Sequence, residues 1–328
     1  MKRRQFIKAA GSFAALGSTL SFTHVALAAF PERAIRLIVP FAPGGNADIQ
    51  GRLIAEGMTQ ALGQPVIVEN RGGAGGGLGA AEVARAAPDG YTLLIGSNGP
   101  LTVNPFVQAK MGYDPQKDFA PIGMASITAH SLVVNAALPA RTLKDLIELS
   151  KRQQVSVGTS GLGSATHLTL ERFNAATGAK LVHIPYKSGG ALLPDLIAGT
   201  IQAAMTEFSS ALPHHRSGKA RFLAVASPAR PGLAPDVPTM IESGVPGFTA
   251  GSFIGVLAPA ATPADVQKRL QDALAAAINS PKALERVKES GAEVAAPELR
   301  SAAGFAAFIR QDYERSREAA QLAGLKKE

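Results

Sequence analysis

Residues Ile35–Asp48, with the sequence IRLIVPFAPGGNAD, constrain the fold more than any other part of this chain. The apolar residues at its start predict a buried strand that ends at Pro40, and the glycine turn Pro43–Gly45 precedes a helix that should begin near Asp48. Glycine lets the backbone approach a ligand closely, and the first N–H groups of a helix lack partners within the helix. Asp48 would cap one of these groups, and a bound carboxylate could take the others. The same pattern is typical of an ordinary strand–helix turn, so this segment alone leaves both interpretations open.

The amino-acid composition excludes several classes of chemistry. The 328 residues contain no cysteine, which rules out disulfides, thiolate metal sites and a cysteine nucleophile. The six histidines show no metal-binding spacing, so we predict neither a metal site nor a cofactor. The net charge is +8, but Lys2, Arg3, Arg4 and Lys8 supply half of it and the other charges are dispersed. A nucleic-acid partner is therefore not expected.

The N-terminus has the pattern of an export signal. Residues Arg3–Lys8, RRQFIK, match the twin-arginine motif, and the mildly apolar stretch Ala9–Phe22 is too short to span a membrane. Ala26–Ala28 supplies the small residues of a cleavage site. We therefore predict a twin-arginine signal peptide over residues 1–28, a mature chain that starts at Ala29, and a periplasmic location.

The order of the predicted elements indicates an α/β fold with two units. Short apolar strands and helices alternate as β-α-β-α-β in the first hundred residues, which predicts a parallel sheet whose ligands bind at the carboxyl ends of the strands. A second series of strands, turns and helices begins with a strand at Ser131–Asn135. The Pro- and Gly-rich stretch Pro228–Gly247 is interpreted as a surface linker, and the last helix, Phe305–Leu322, is expected to pack on the first unit.

Two of the glycine turns allow an enzymatic interpretation. Gly75–Ala80 loosely fits the GxGxxA dinucleotide fingerprint, but a turn follows where that fingerprint needs continuing structure. Gly158–Leu162 approaches the GxSxG elbow of serine hydrolases, with Ser160 as the nucleophile but leucine in place of the last glycine. A triad in the hydrolase order would need His214 or His215. Neither motif is complete.

The third interpretation is a binding protein, whose site needs no acid–base pair. Backbone N–H groups and hydroxyls would converge from Pro43–Gly45 in one unit and from Ser160–Ser164 in the other. Ser164 could equally be the cap of its helix, and a residue such as His167 is more often a hydrogen-bonded structural group than a ligand contact. Tyr186 would lie either in the cleft or in the core.

Six motifs occur in an order that resembles a known family. They are FxPGGxxD (41–48), ENRxGAGG (69–76), PDGYTLL (88–94), GxGSxxHL (161–168), PYK (185–187) and PDVPTM (235–240). Each motif is weak alone, but the ordered set covers essentially the whole mature chain. Together they are similar to the periplasmic substrate receptors of tripartite tricarboxylate transporters, called Bug receptors.

The resemblance implies a two-lobed periplasmic binding protein of type II-like α/β architecture, in which each lobe is a β-sheet flanked by helices. The first lobe would comprise residues 29–130 and 251–328 and the second residues 131–250, with a hinge near His130 and Gly251. It also implies a monomer that binds a small carboxylate in the cleft without catalysis. The partners would be membrane transporter subunits. A sensor adaptor that docks on a signalling ectodomain and a hydrolase-like enzyme that uses Ser160 remain the alternatives.

The family pattern places the ligand site at specific positions. Phe41 would cover the ligand and the backbone of Ala42–Gly45 would hold a carboxylate, while serine, threonine and tyrosine side chains would border it. The predicted ligand-binding residues are Phe41, Ala42, Pro43, Gly44, Gly45, Asp48, Ser97, Asn98, Thr159, Ser160, Ser164, His167, Tyr186 and Glu207.

The sequence departs from the family pattern at three positions. Ser188 stands where the family usually has glycine, Gln202 where an acid is common, and Glu207 where aspartate is usual. If Glu207 reaches the cleft, its charge would disfavour a second carboxylate nearby and favour an amino or hydroxyl group. The class of ligand therefore stays open.

Overall fold

The computed structural model describes residues 30–327. The predicted signal peptide lies outside these residues. Strands and helices are mixed along the chain, and one continuous path of paired strands runs through the protein in the order β2-β1-β3-β9-β4-β7-β5-β6, with β8 and β10 also paired to β4. No helix within residues 30–327 is long and apolar enough to cross a membrane.

The first half of this path is a largely parallel sheet. Strand β1 (Ile35–Val39) pairs in parallel with β2 (Val66–Asn70) and β3 (Thr92–Gly96), as the alternation of apolar strands and helices predicts. Strand β9 (Gly251–Pro259) returns from far along the chain and pairs antiparallel with β3. The sheet of the first half is therefore completed by a strand from the C-terminal part of the sequence.

Strand β4 (Phe119–Asn135) joins the two halves of the sheet. Its residues 119–129 pair with β9, whereas residues 130–135 pair with β7 and β8. The sequence predicted only the end of this strand, Ser131–Asn135. The earlier part was missed because Pro121 and Gly123 interrupt it and because the register shifts twice along β9, which removes the regular alternation of apolar residues.

The second half repeats the strand–turn–helix pattern. Strand β5 (Val155–Thr159) pairs in parallel with β6 (Leu181–Pro185) and β7 (Ala203–Glu207), and β8 (Ala220–Val225) lies antiparallel to β4. The stretch 228–247 is not a free linker, because Val237 and Met240 are buried and a bridge joins Val225 to Thr239. The short strand β10 (Glu293–Val294) pairs with β4 in the first half.

Helices cover both faces of the sheet. Their bounds are α1 (Asn46–Leu62), α2 (Gly77–Ala84), α3 (Asn104–Val107), α4 (Leu143–Arg152), α5 (Ala165–Thr177), α6 (Leu193–Ala198), α7 (Phe208–Arg216), α8 (Ala264–Asn279), α9 (Pro281–Glu289) and α10 (Ala302–Leu322). Helix α10 packs on the first half, as expected, where the fully buried Phe305 contacts Phe253 edge-on at 5.7 Å between ring centroids. It also contacts α5 of the second half.

Each half of the molecule has its own apolar core. Ile35, Leu37 and Val39 of β1 pack with α1 and α8 in the first half, and Leu132, Val155 and Val157 pack with α5 in the second. Burial of each such side chain contributes about 1.5–3 kcal/mol. One smaller apolar cluster crosses the boundary, where Val103, Val107 and Ala320 of the first half pack with Leu168 of α5. The rest of the boundary lies between two separately packed cores, where a site can form.

Candidate functional site

A small polar cavity lies where the two halves meet. From the first half it is lined by Phe41, Gly45, Asn46, Ala47, Ser97, Gly99, Ser252 and Ile254, and from the second half by Ser160, Ser164, Ala165, Ser188, Gly189 and Glu207. Most of these residues lie in the turns and helix starts between the carboxyl end of a strand and the next helix, where α/β sheets bind their ligands. The space open to the centre of a water molecule is about 20 Å³, room for one or two waters.

The N-terminus of α1 presents backbone N–H groups to this cavity. The helix begins at Asn46 with Gly45 as its N-cap, and the N–H groups of Asp48 and Ile49 are bonded to the Gly45 carbonyl. Within residues 30–327, the N–H groups of Gly45, Asn46 and Ala47 have no hydrogen-bond partner. Because these are helix-terminal amides with a partial positive charge, they form a suitable site for an anion.

Asp48 fixes the turn instead of facing the cavity. Its carboxylate accepts hydrogen bonds from the Gly44 N–H at 3.0 Å, from Asn70 Nδ2 at 3.0 Å and from the Arg52 guanidinium. Burial raises the pKa of Asp48, but these hydrogen bonds outweigh it, so the net pKa is lowered and the group is ionised. The expectation that Asp48 caps the start of α1 was therefore wrong: it is the third helical residue and it holds the glycine turn from within the helix.

Buried polar atoms without a partner converge on the cavity. Within the described residues five such side-chain atoms occur, and three of them, Asn46 Nδ2, Ser97 Oγ and Ser160 Oγ, belong to residues that line it. Asn46 Oδ1 already accepts hydrogen bonds from Thr128 Oγ1 at 3.1 Å and Ser209 Oγ at 3.0 Å, which orients the amide so that Nδ2 is the free donor. Leaving such atoms unpaired costs about 1–3 kcal/mol each, and a polar ligand would recover this.

Among residues 30–327, Glu207 is the one charged residue that lines the cavity. Its Oε1 lies 3.0 Å from Ser252 Oγ, and Oε2 has a longer contact of 3.4 Å with Thr206 Oγ1. Burial raises the pKa of Glu207, and none of the described residues that line the cavity is a lysine, arginine or histidine that would oppose this. The groups that this wall offers to an anion are therefore backbone amides, an asparagine amide and hydroxyls.

The two halves meet around the cavity through glycine backbone. The Ala42 N–H donates to the Lys187 carbonyl at 3.1 Å, across the boundary. A Cβ on Gly75 would lie 2.5 Å from the Leu162 carbonyl oxygen, and one on Gly190 would lie 2.6 Å from the Gly44 carbonyl oxygen. Since atoms do not approach so closely, the glycines permit a contact between halves that other residues would prevent.

Six of the predicted site residues line the cavity: Phe41, Gly45, Ser97, Ser160, Ser164 and Glu207. Ser164 also caps α5, because its Oγ accepts from the His167 N–H at 3.2 Å, so both interpretations of this residue apply. Ala42, Pro43 and Gly44 belong to the turn but not to the cavity wall.

The other predicted residues have structural contacts away from the cavity. Asn98 binds Asp312 of α10 through Nδ2 at 2.9 Å and accepts the Phe253 N–H. Tyr186 donates its hydroxyl to Asp195 at 2.6 Å, and burial raises the pKa of the phenol to about 12. Thr159 Oγ1 lies 2.7 Å from His183 Nε2.

His167 supports the loop of the second half that carries Ser160 and Ser164. Its ring stacks on His183 at 4.1 Å between centroids, and its Nδ1 accepts the Gly163 N–H at 3.4 Å. Burial lowers the pKa of His167 to about 3, and the His183 ring contributes to this. It is therefore neutral at physiological pH and positions the loop that carries Ser160 and Ser164.

The contacts do not favour the enzymatic interpretations. Ser160 Oγ has no hydrogen-bond partner among residues 30–327, whereas a nucleophilic serine needs a base within hydrogen-bonding distance. Gly75–Gly77, the start of the dinucleotide-like motif, packs directly against Leu162, Gly163 and Asn104. These contacts leave no space for a pyrophosphate at that turn.

The sequence interpretation missed several residues of the cavity wall: Asn46, Ala47, Gly99, Ala165, Ser188, Gly189, Ser252 and Ile254. Asn46 and Ala47 could have been found by starting the helix directly after Gly45. Ser252 has no local signal, because it reaches the cavity only through the pairing of β9 with β4.

Two α/β halves joined by crossing strands, with a polar cavity enclosed between the carboxyl ends of their strands, define the class of periplasmic solute-binding proteins. The tripartite tricarboxylate transporter family receptor (TctC) matches this sequence over residues 51–325, and the chain belongs to that family. The match confirms the resemblance and the predicted fold class. It is a family of solute receptors, not of enzymes.

Individual relatives agree with this assignment. The protein BugT of Bordetella pertussis (strain Tohama I) is 38% identical over 266 residues, which cover 80% of this chain and 82% of BugT. The structure of R. palustris Rpa4515 with adipate is 32% identical, with a TM-score of 0.87, and the match covers 91% of this chain and 100% of that one. MatC of Rhodopseudomonas palustris, with bound malate, is 32% identical with a TM-score of 0.85 over 88% of this chain and 99% of MatC.

Proposed function

We propose that this receptor binds a small organic acid between its two lobes and delivers it to the membrane subunits of a tripartite tricarboxylate-type transporter. One carboxylate would accept the N–H groups of Gly45, Asn46 and Ala47, with Asn46 Nδ2 and the Ser97 and Ser160 hydroxyls around it. The convergence of these unpartnered groups on one cavity carries the proposal. The adipate and malate bound to the two relatives are acids of this kind.

The proposed lobes are residues 29–130 with 251–328, and residues 131–250. Strand β4 changes its partners between Ala129 and His130, and β9 begins at Gly251, which supports crossings at these two points. Opening at this hinge would be needed for entry, because a four-carbon acid is far larger than the closed cavity. Closure would then bury the ligand and pair the polar atoms.

The proposal includes no catalytic step. It also includes a monomeric receptor and export by the twin-arginine route. Replacement of both Arg3 and Arg4 by lysine should stop that export, and the precursor should then accumulate inside the cell. Docking on a signalling ectodomain, the alternative partner, would appear as capture of a sensor instead of transporter subunits from membrane extract.

The central experiment is isothermal titration calorimetry of the mature receptor with a panel of organic acids, amino acids and aromatic acids. At least one acid should bind with a 1:1 stoichiometry, and small-angle scattering should show a decrease in the radius of gyration when it is added. Absence of binding by every acid would contradict the proposal. Hydrolysis of generic esters that Ser160→Ala abolishes would favour an enzyme.

A further inference from the structure

Glu207 is part of a buried chain of hydrogen bonds that links the cavity to the proposed hinge. Its Oε1 contacts Ser252 Oγ at 3.0 Å, Ser252 Oγ contacts His130 Nε2 at 2.8 Å, and His130 Nδ1 contacts Thr169 Oγ1 at 2.8 Å. All four side chains are buried. A chain of this kind has few ways to distribute its protons, because each contact needs one donor and one acceptor.

The far end of the chain sets the direction of every bond. Thr169 Oγ1 donates its proton to the Ala165 carbonyl at 2.9 Å, so it accepts from His130 and Nδ1 carries the ring proton. Burial keeps His130 neutral by lowering its pKa to about 3, and Nε2 is then the acceptor of the Ser252 hydroxyl proton. Ser252 Oγ has no second proton, so the proton in its contact with Glu207 comes from Glu207.

This arrangement leaves one hydrogen-bonding role for Glu207 toward a ligand. By this proton count Oε1 carries the carboxylic acid proton and donates it across the 3.0 Å contact with Ser252 Oγ, and Oε2 keeps the acceptor capacity of a carbonyl oxygen. Its contact with Thr206 Oγ1, at 3.4 Å, is long for a hydrogen bond between oxygens. Elsewhere in the cavity wall the α1 amides and Asn46 Nδ2 offer donors only.

We infer that Glu207 is the specificity-determining residue of the cavity and that it selects small carboxylates carrying a hydroxyl or amino hydrogen-bond donor over matched acids that lack one. The inference rests on the proposed function and narrows its ligand class. A plain carboxylate or methylene next to Oε2 leaves that oxygen with only its long contact to Thr206 Oγ1 after closure, whereas a hydroxyl or amino group adds a full hydrogen bond.

Matched pairs of acids test this on the unaltered protein. The pairs are L-malate with succinate, L-aspartate with succinate, L-glutamate with glutarate, and L-lactate with propionate, each measured by titration calorimetry. For the pair that fits the cavity, the acid with the donor should bind about tenfold or more tightly than the acid without it. Equal affinity within a pair that binds would overturn the inference while leaving the proposed function intact. Failure of every acid, including the wider panel, would overturn both.

Two substitutions connect the preference to Glu207. Glu207→Gln reproduces the hydrogen-bonding pattern of the neutral acid, because its amide N–H₂ can donate to Ser252 and its oxygen can face the ligand. It should keep the preference for the hydroxy acid within about threefold. Glu207→Met removes the acceptor and should reduce the ratio of the affinities for the two acids of a pair to nearly one.

Melting temperatures identify a variant that fails to fold, and the comparison of pairs on the unaltered protein stands without the variants. The preference is the ratio of the affinities of one variant for the two acids of a pair. A substitution that weakens the binding of both acids equally therefore leaves this ratio unchanged. A preference that persists unchanged in a folded Glu207→Met protein would overturn the role given to Glu207.

Discussion

Gly190 in the second half lies against Gly44 in the first, so close that a Cβ on Gly190 would come within 2.6 Å of the Gly44 carbonyl oxygen. The same Cβ would lie 2.8 Å from the Gly45 amide nitrogen. The φ angle of Gly190 is not in the left-handed region, so its own turn does not require glycine. Glycine is needed there for contact between the halves, and this allows closure to be tested separately from folding.

Gly190→Ala should weaken ligand binding without lowering the stability of either half. The methyl group meets backbone atoms only when the halves close, and a clash of about 1–3 kcal/mol corresponds to a loss of affinity of roughly five- to 150-fold. Calorimetry would measure the affinity, and small-angle scattering should show a variant that no longer compacts with ligand. The matched control is Gly232→Ala, because an added Cβ at the exposed Gly232 meets no atom within 4 Å. Unchanged affinity in Gly190→Ala would show that the ligand does not bind in this closed arrangement.

Asn46→Asp should oppose a carboxylate ligand while preserving the fold. An aspartate oxygen can still accept the hydroxyls of Thr128 and Ser209, and a negative charge at the start of α1 is favourable by about 0.3–1 kcal/mol. Next to a bound carboxylate, however, the same charge costs several kcal/mol, so affinity should fall roughly 100-fold or more.

The control for this charge change is Asn279→Asp, at an exposed position outside the cavity where the acceptor for Arg300 is kept. In Asn46→Asp the affinity measured by calorimetry should therefore fall while the melting temperature is kept. In Asn279→Asp both quantities should stay unchanged. Equal losses of affinity in both variants would point to net charge as the cause and not to the α1 terminus.

Acidification should destabilise the protein through its buried histidines. Burial lowers the pKa of His167 to about 3, against an ordinary value of 6.5 in the unfolded chain. A lowered folded-state pKa means that the unfolded state binds the proton first, so stability is fully present above pH 6.5 and decreases as the pH falls toward 3. Each such group contributes up to about 1.4 kcal/mol per pH unit within that window.

His167→Asn tests this contribution, since the asparagine oxygen can replace Nδ1 as the acceptor for the Gly163 N–H. Denaturant unfolding at pH values from 8 to 4 should give a shallower decrease in unfolding free energy for the variant than for the unaltered protein. At pH 8 the difference in unfolding free energy between the two proteins measures the loss of packing alone. This difference is subtracted from the differences measured at lower pH. Parallel curves for the two proteins would assign the acid sensitivity to other groups.

Local signals in the sequence were sufficient to predict the glycine turn between β1 and α1. The apolar run, the double glycine and the amphipathic helix all depend on neighbouring residues, so these residue types alone place Phe41, Gly45 and the start of α1 in one strand–turn–helix unit. The same logic found Ser160 and Ser164 in the glycine turn after β5, whereas Ser97 was predicted from the resemblance to the family. The error at Asp48 came from the helix start, because Gly45 has no side chain to signal a cap.

The chain alone thus establishes its class, because apolar periodicity, glycine turns and ordered motifs are all properties of short segments. It could not place Ser252 beside Glu207, or His130 beside Ser252, since these contacts join residues from β9, β7 and β4 that are far apart in the chain. Pairing registers between distant strands and the close contact of glycines across two cores create the cavity wall. Such contacts depend on how whole elements pack, and no local pattern of residue types encodes them.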